Sequence, residues 1–184
     1  SLHRALQGFE AALRMPDILV NNAGAHAGLF ALDLSPGDWN TVIETNLSGT
    51  WAITQQLAQL WVERKRPGVV VNIASILGLG VSPGVMSYAV SKAAVIQMTK
   101  ALALEWARYG IRVNALAPGY FPTDLNKDFL GTPEGEATKK RIPMRRFGRL
   151  EDLDGPLLLL ASVASGYMTG SVVTVDGGHL NASL

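Results

Sequence analysis

The chain has no cysteine. That excludes disulfides and thiolate metal sites, and it suits a reducing compartment. Net charge is scarce as well, at +1 over 184 residues, so there is no bulk field to draw nucleic acid or an anionic membrane. No apolar run approaches the ~18 residues that a bilayer-spanning helix needs, and the first ten residues, Ser1 to Glu10, are mixed in character and unlike a secretory signal. The three histidines, His3, His26 and His179, lack metal-ligand spacing. These absences leave a cytoplasmic globular protein as the expectation, with no nucleic-acid or membrane partner. The 48% hydrophobic and 17% charged content fits one packed domain across residues 1–184.

Four short apolar runs read as buried parallel strands: Ile18–Asn21, Val69–Ile73, Ile111–Ala115 and Ser171–Val175. Helical stretches alternate with them. One covers Leu2 to Arg14. A second opens at Ser35-Pro-Gly-Asp38, where Ser35 caps, Pro36 takes the first helical position and Asp38 approximates a capping box; it ends near Arg66, before Pro67-Gly68. A third runs from about Val85 to Arg108 and closes at Gly110. A fourth covers Leu150 to Val163, with a kink or restart expected at Gly155-Pro156 because an interior proline costs about 3 kcal/mol. Strands alternating with helices specify βαβ units: an α/β, Rossmann-like, doubly wound parallel sheet. Residues 120–149 show no clear periodicity and contain Gly131, Pro133, Gly135 and Pro143. A long irregular stretch in a compact α/β domain reads as a substrate lid.

Ligands bind at the carboxyl ends of strands in such sheets. The first strand ends in Asn22, Ala23 and Gly24, small enough for close approach of a flat ligand. The second ends at Ser75, and the third runs into Ala117-Pro118-Gly119, with Phe121 and Thr123 just beyond. Tyr88 and Lys92 follow Ser75 at four-residue spacing, which places them on one helix face. A cation beside a phenol favours its ionised form, so the pair can exchange a proton near neutral pH. Asn46 lies in the middle of the second helix, although its amide competes for backbone groups there.

In order and spacing, Asn-Asn-Ala-Gly (21–24), Asn-Leu-x-Gly (46–49), Asn-Ile-Ala-Ser (72–75), Tyr-Ala-Val-Ser-Lys (88–92), Pro-Gly-x-x-x-Thr (118–123) and Val-Asp-Gly-Gly (175–178) resemble the classical short-chain dehydrogenase/reductases. The resemblance implies an NAD- or NADP-dependent oxidoreductase that interconverts a secondary alcohol and a ketone. It implies Tyr88 as general acid/base, Lys92 lowering its pKa and holding the nicotinamide ribose, and Ser75 on the substrate oxygen. It implies that Asn46 holds a water leading from Lys92 to solvent, that Asn22, Ala23 and Gly24 flank the cofactor ribose, and that Pro118, Gly119, Phe121 and Thr123 position the carboxamide. Residues 111–119 and Arg145–Arg149 look most like members acting on sugars and sugar acids such as gluconate, or on 3-oxoacyl thioesters.

The family's opening strand and glycine-rich phosphate turn have no counterpart here. The expectation is therefore the C-terminal part of the fold, about four strands with flanking helices. Three strands and two helices, ~60–80 residues at ordinary element lengths, precede it in the family. Ile18–Val20 is then an exposed apolar edge. A cofactor-free relative serving as an oligomer partner, or an inactive fragment, is the other reading. Basic residues crowd the lid (Lys139, Lys140, Arg141, Arg145, Arg146, Arg149), facing either an anionic substrate or solvent. Trp51, Trp61 and Trp106 lie on the two long helices, either in the core or on the faces through which relatives form dimers and tetramers.

Overall fold

The computed structural model describes residues 15–124 and 126–182. The helix expected over Leu2–Arg14 lies outside them. Four parallel strands, β1 (Ile18–Asn21), β2 (Gly68–Ile73), β3 (Ile111–Pro118) and β4 (Val172–Val175), form one sheet in the order β1-β2-β3-β4. The register pairs Asn21 with Asn72 and Ile73 with Leu116. All carboxyl ends therefore reach one edge of the sheet. The third strand is longer than its apolar run suggests, because backbone pairing to β2 and β4 carries it through Pro118.

Side chains alternate between the two faces of a strand. Val70 and Val113 pack with Leu57, Ala58, Trp61, Leu102 and Ala103 on one face. Val71 and Leu116 pack with Leu160 on the other. The helices behind the first group are the segment 36–63 and α3 (Met86–Trp106). Behind the second is α6 (Asp154–Ala161). The doubly wound α/β architecture is as expected.

The segment 36–63 is not a uniform α-helix. It starts as α1 (Pro36–Ile43), where Ser35 and Asp38 form the capping box, widens into a π turn at Glu44–Ser48, and resumes as α2 (Gly49–Glu63). Single π turns inside helices recur at functional sites, and Asn46 lies in the middle of this one. The Thr50 hydroxyl donates to the Asn46 carbonyl at 2.9 Å. Gly110 ends α3 and its 3-10 extension at φ 73°. The fourth helix begins as a 3-10 turn at Leu150–Leu153 and becomes α6 at Asp154. Pro156 is then the third residue of the α-helix, where its missing N–H breaks no bond; the transition falls two residues before the proline. The lid contains two short helices, α4 (Lys127–Leu130) and α5 (Pro133–Arg141). Thr132 caps α5 by accepting from the Gly135 N–H at 3.1 Å. Local capping organises a segment with no apolar stripe.

A ladder of buried amides and hydroxyls crosses the sheet beside the first core cluster. Asn21 Nδ2 donates to Thr54 Oγ1 and to Asn72 Oδ1, both at 2.8 Å. Asn72 Nδ2 donates to Thr99 Oγ1 at 2.8 Å. One chain of bonds thus joins α2, β1, β2 and α3. The tryptophans divide: Trp61 is fully buried and donates to the Pro16 carbonyl at 2.7 Å, whereas Trp51 stacks on Trp106 at the surface. On β1, Ile18 and Val20 are 45% and 40% exposed, so this edge is apolar and open among the described residues.

Two glycines separate packing from propensity. A Cβ at Gly68 would overlap the buried Trp61 ring, whereas a Cβ at Gly155 would meet nothing within 4 Å outside its chain neighbours and its own helix backbone. Overpacking a filled core costs about 1–3 kcal/mol, while at Gly155 the helix-propensity gain of alanine, ~0.5–1 kcal/mol, is set against the clash of its Cβ with the following Pro156 ring. Urea denaturation is therefore expected to show Gly68→Ala less stable than Gly155→Ala. The reverse order would contradict this packing.

Candidate active site

Ser75 ends β2 and caps a 3-10 turn, Ile76–Gly78, by accepting from the Leu77 N–H at 3.1 Å. This turn rests directly on the helix that carries Tyr88 and Lys92: a Cβ at Gly78 would lie 2.7 Å from the Lys92 carbonyl carbon. Only glycine permits that approach. The chain then returns through 79–85 to begin α3 at Met86, which places Tyr88 in the first turn and Lys92 one turn later.

The Ser75 hydroxyl lies close enough to the Tyr88 phenol to favour its ionised form. Lys92 Nζ lies 5.5 Å from the Tyr88 ring centroid and donates to the Ile73 carbonyl at 2.7 Å. Lys92 is 4% exposed. Its ammonium has one carbonyl partner there and no carboxylate, and burial pushes its pKa down to about 8. The Tyr88 phenol moves opposite to the shift expected from its neighbouring cation: burial pushes it above its ordinary value, and the nearby Ser75 hydroxyl only partly offsets this. Removing a phenolate from water costs more here than the flanking groups recover.

Asn46 is 1% exposed and closes the site from the other side. Its Oδ1 accepts from the Ala25 N–H at 2.7 Å, and its Nδ2 donates to the Ala25 carbonyl and to Ser91 Oγ, both at 2.9 Å. Ser91 in turn donates to the Tyr88 carbonyl at 2.7 Å. The chain after Asn22-Ala23-Gly24 is thereby stitched to the π turn and to α3. A Cβ at Gly24 would lie 3.7 Å from Lys92 Nζ and 3.8 Å from Asn46 Oδ1, so this glycine backbone runs between the two. Asn22 and Ala23 are exposed just past β1.

Five sequence-predicted residues, Asn46, Ser75, Tyr88, Lys92 and Gly24, therefore converge. Pro118 and Gly119 end the neighbouring strand, and the Ala74 N–H bonded to the Leu116 carbonyl at 2.8 Å holds that strand beside Ser75. The Phe121 ring is buried against Gly148, in the wall of the lid. Thr123 is exposed and bonded to Asn126. Two side chains were missed. Ser91 sits inside the Tyr-to-Lys spacing and was legible there. His26 meets the Tyr88 ring edge-on at 6.4 Å, which no local pattern announced. Among the described residues there is no cluster suited to a metal ion, and no helix is long and apolar enough to cross a membrane.

A parallel α/β sheet that gathers serine, tyrosine and lysine at its carboxyl edge is the arrangement of a short-chain dehydrogenase/reductase, and the chain belongs to that family. The family model described as enoyl-(acyl carrier protein) reductase matches residues 1–179. A 3-oxoacyl-(acyl-carrier-protein) reductase from Thermotoga maritima is 41% identical over 162 residues, 88% of this chain and 65% of that protein. A 2-dehydro-3-deoxy-D-gluconate 5-dehydrogenase from Dickeya dadantii is 39% identical over 165 residues, 89% of this chain and 65% of that protein. Among solved structures, a gluconate 5-dehydrogenase from Burkholderia cenocepacia in complex with NADP and tartrate superposes with a TM-score of 0.95 at 37% identity, covering 99% of this chain and 71% of that one. The chain thus spans 65% of the length of each of the two curated relatives.

The Lys92 environment has a measurable signature. With a folded pKa of about 8 against an ordinary 10.5, the unfolded chain holds more protons between these values. The burial penalty is complete below pH 8 and fades as pH rises to 10.5. The stability of wild type relative to Lys92→Met should therefore rise by about 2 kcal/mol from about pH 7.5 to about pH 10. Urea denaturation at both pH values measures it; a difference independent of pH would mean the ammonium is not desolvated.

Proposed function

We propose that the protein is an NAD(P)-dependent oxidoreductase that interconverts a secondary alcohol and a ketone, with a sugar or sugar acid as substrate. The observation that carries this reading is the convergence of the Ser75 hydroxyl, the Tyr88 phenol and a buried ammonium at one strand edge. The residues suit a nicotinamide dinucleotide. Small, exposed Asn22 and Ala23 lead into Gly24, whose backbone passes the Lys92 ammonium. That ammonium has three donors, one of them committed to Ile73. The dinucleotide, when bound, supplies the hydride acceptor or donor.

The remaining steps belong to side chains. Ser75 orients the substrate oxygen toward Tyr88. In the reducing direction Tyr88, kept protonated by burial, donates its phenolic proton to that oxygen; in the oxidising direction the phenolate takes the proton back. Lys92 stabilises the phenolate when it forms and binds the ribose of the cofactor. Asn46 holds the Ala25 backbone and Ser91 in place, and supports a water leading from Lys92 to solvent. Pro118, Gly119, Phe121 and Thr123 line the nicotinamide side, and residues 120–149 act as the substrate lid. The exposed Trp51–Trp106 stack favours assembly into a homo-oligomer. The Thermotoga relative favours a second reading, reduction of 3-oxoacyl thioesters; a substrate panel followed by NAD(P)H absorbance separates the two.

Tyr88→Phe removes the proton donor while keeping the ring. Turnover is expected to fall by at least ~100-fold, the scale of a positioned general acid/base, with an unchanged far-ultraviolet circular dichroism spectrum. Near-wild-type activity in that variant would reject the mechanism.

A further inference from the structure

The lid cations divide into two groups. Lys139 pairs with Glu136, and Arg146 and Arg149 pair with Asp152. Arg141, the last residue of α5, differs. Its hydrogen bond among the described residues goes to the neutral Thr138 hydroxyl at 3.2 Å. The chain after it is fixed on the end of β4: the Met144 N–H donates to the Gly177 carbonyl at 3.2 Å, and Pro143 packs on Gly178. Arg141 is thereby set beside His179, the residue that follows Gly178. The His179 ring lies 5.6 Å from the Tyr120 ring, and its Nδ1 is buried with no hydrogen-bond partner among the described residues. Burial raises the Tyr120 phenol above its ordinary value and lowers the His179 imidazole, and the positive field of Arg141 pulls both downward. The nearby Asp176 carboxylate accepts the backbone N–H groups of Gly178 and Leu180 at 2.8 Å and forms no ion pair with Arg141 among the described residues.

This cluster borders the reaction site. Tyr120 stands two residues past the end of β3, on the strand beside Ser75. The loop that starts from Ser75 and delivers Tyr88 passes beside it: Ser82 lies near the Tyr120 phenol, and a Cβ at Gly80 would lie 3.3 Å from Leu180. A guanidinium, a phenol and an imidazole collected beside a carbonyl-reducing site, with the guanidinium in no ion pair among the described residues, match the recognition chemistry of a carboxylate.

We propose that Arg141, Tyr120 and His179 seat a carboxylate of the substrate, so that the protein selects hydroxy and keto acids over neutral alcohols and ketones. The proposal rests on the alcohol–ketone reading above. Arg141 provides the charge, and the two rings limit where the acid group can lie.

The test uses the purified protein with NADP, and two probes that differ only at one end: gluconate, and glucitol, in which a CH₂OH replaces the carboxylate. Calorimetry measures binding of each to wild type, Arg141→Met and His179→Phe, and NADPH absorbance measures turnover. Wild type is expected to bind gluconate more tightly than glucitol. Arg141→Met should reduce that preference on the order of 10- to 100-fold, the effect of losing a charge-assisted contact, with His179→Phe reducing it less. Equal binding of the two probes by wild type, or a preference that Arg141→Met leaves intact, overturns the carboxylate seat. If gluconate binds in an Arg141-dependent way but is not turned over, the seat stands and the reaction assignment for gluconate fails. If turnover occurs with no acid preference, the reaction assignment stands and the seat fails.

Discussion

The site depends on one buried amide. Asn46 has no solvent to satisfy it, so its oxygen and nitrogen must find partners in the protein, and they find them on two separate segments. Removing any one partner would leave a buried donor or acceptor unpaired, at a cost of roughly 1–3 kcal/mol. That cost holds the loop after β1 against the start of α3. It also explains the local distortion of the helix: the π turn carries Asn46, and Thr50 satisfies its carbonyl.

Burial then sets the electrostatics around this anchor. The turn 76–78 sits on the backbone of α3 because Gly78 has no side chain, and this close contact helps exclude water from Lys92. The ammonium is left with the Ile73 carbonyl and the face of Tyr88. Desolvation consequently outweighs the mutual attraction of the pair, moving the phenol up and the ammonium down. Both groups favour their neutral forms more than they would in water. This suits a phenol that donates a proton, and it makes phenolate formation the step that needs support from Lys92.

The lid shows how charge is apportioned. Its composition offers seven cations that cannot be ranked along the chain. Folding pairs Lys139, Arg146 and Arg149 with acidic side chains, while contact between 142–144 and the end of β4 sets Arg141 beside Tyr120 and His179. The neighbours of Arg141 come from three places in the sequence, so the cluster leaves no trace in local spacing.

The sequence alone determined the four strands, their parallel order with intervening helices, the Ser35–Asp38 cap, the Gly110 stop, and the shared face of Tyr88 and Lys92, to which the family resemblance joined Ser75 and Asn46. These are short-range properties: alternation of apolar residues, capping geometry, and the four-residue pitch that puts Tyr88 and Lys92 on one face. The π turn, the start of α6 at Asp154 and the helices inside the lid needed the structure, since backbone hydrogen bonding there is decided by competing partners a few residues apart. Only the tertiary structure decided the direction of the Tyr88 shift, the split of Trp61 into the core and Trp51 to the surface, the Asn21–Asn72 ladder, and which lid cation stands beside Tyr120 and His179. Each of these depends on burial or on a partner far along the chain, and neither is encoded in local spacing.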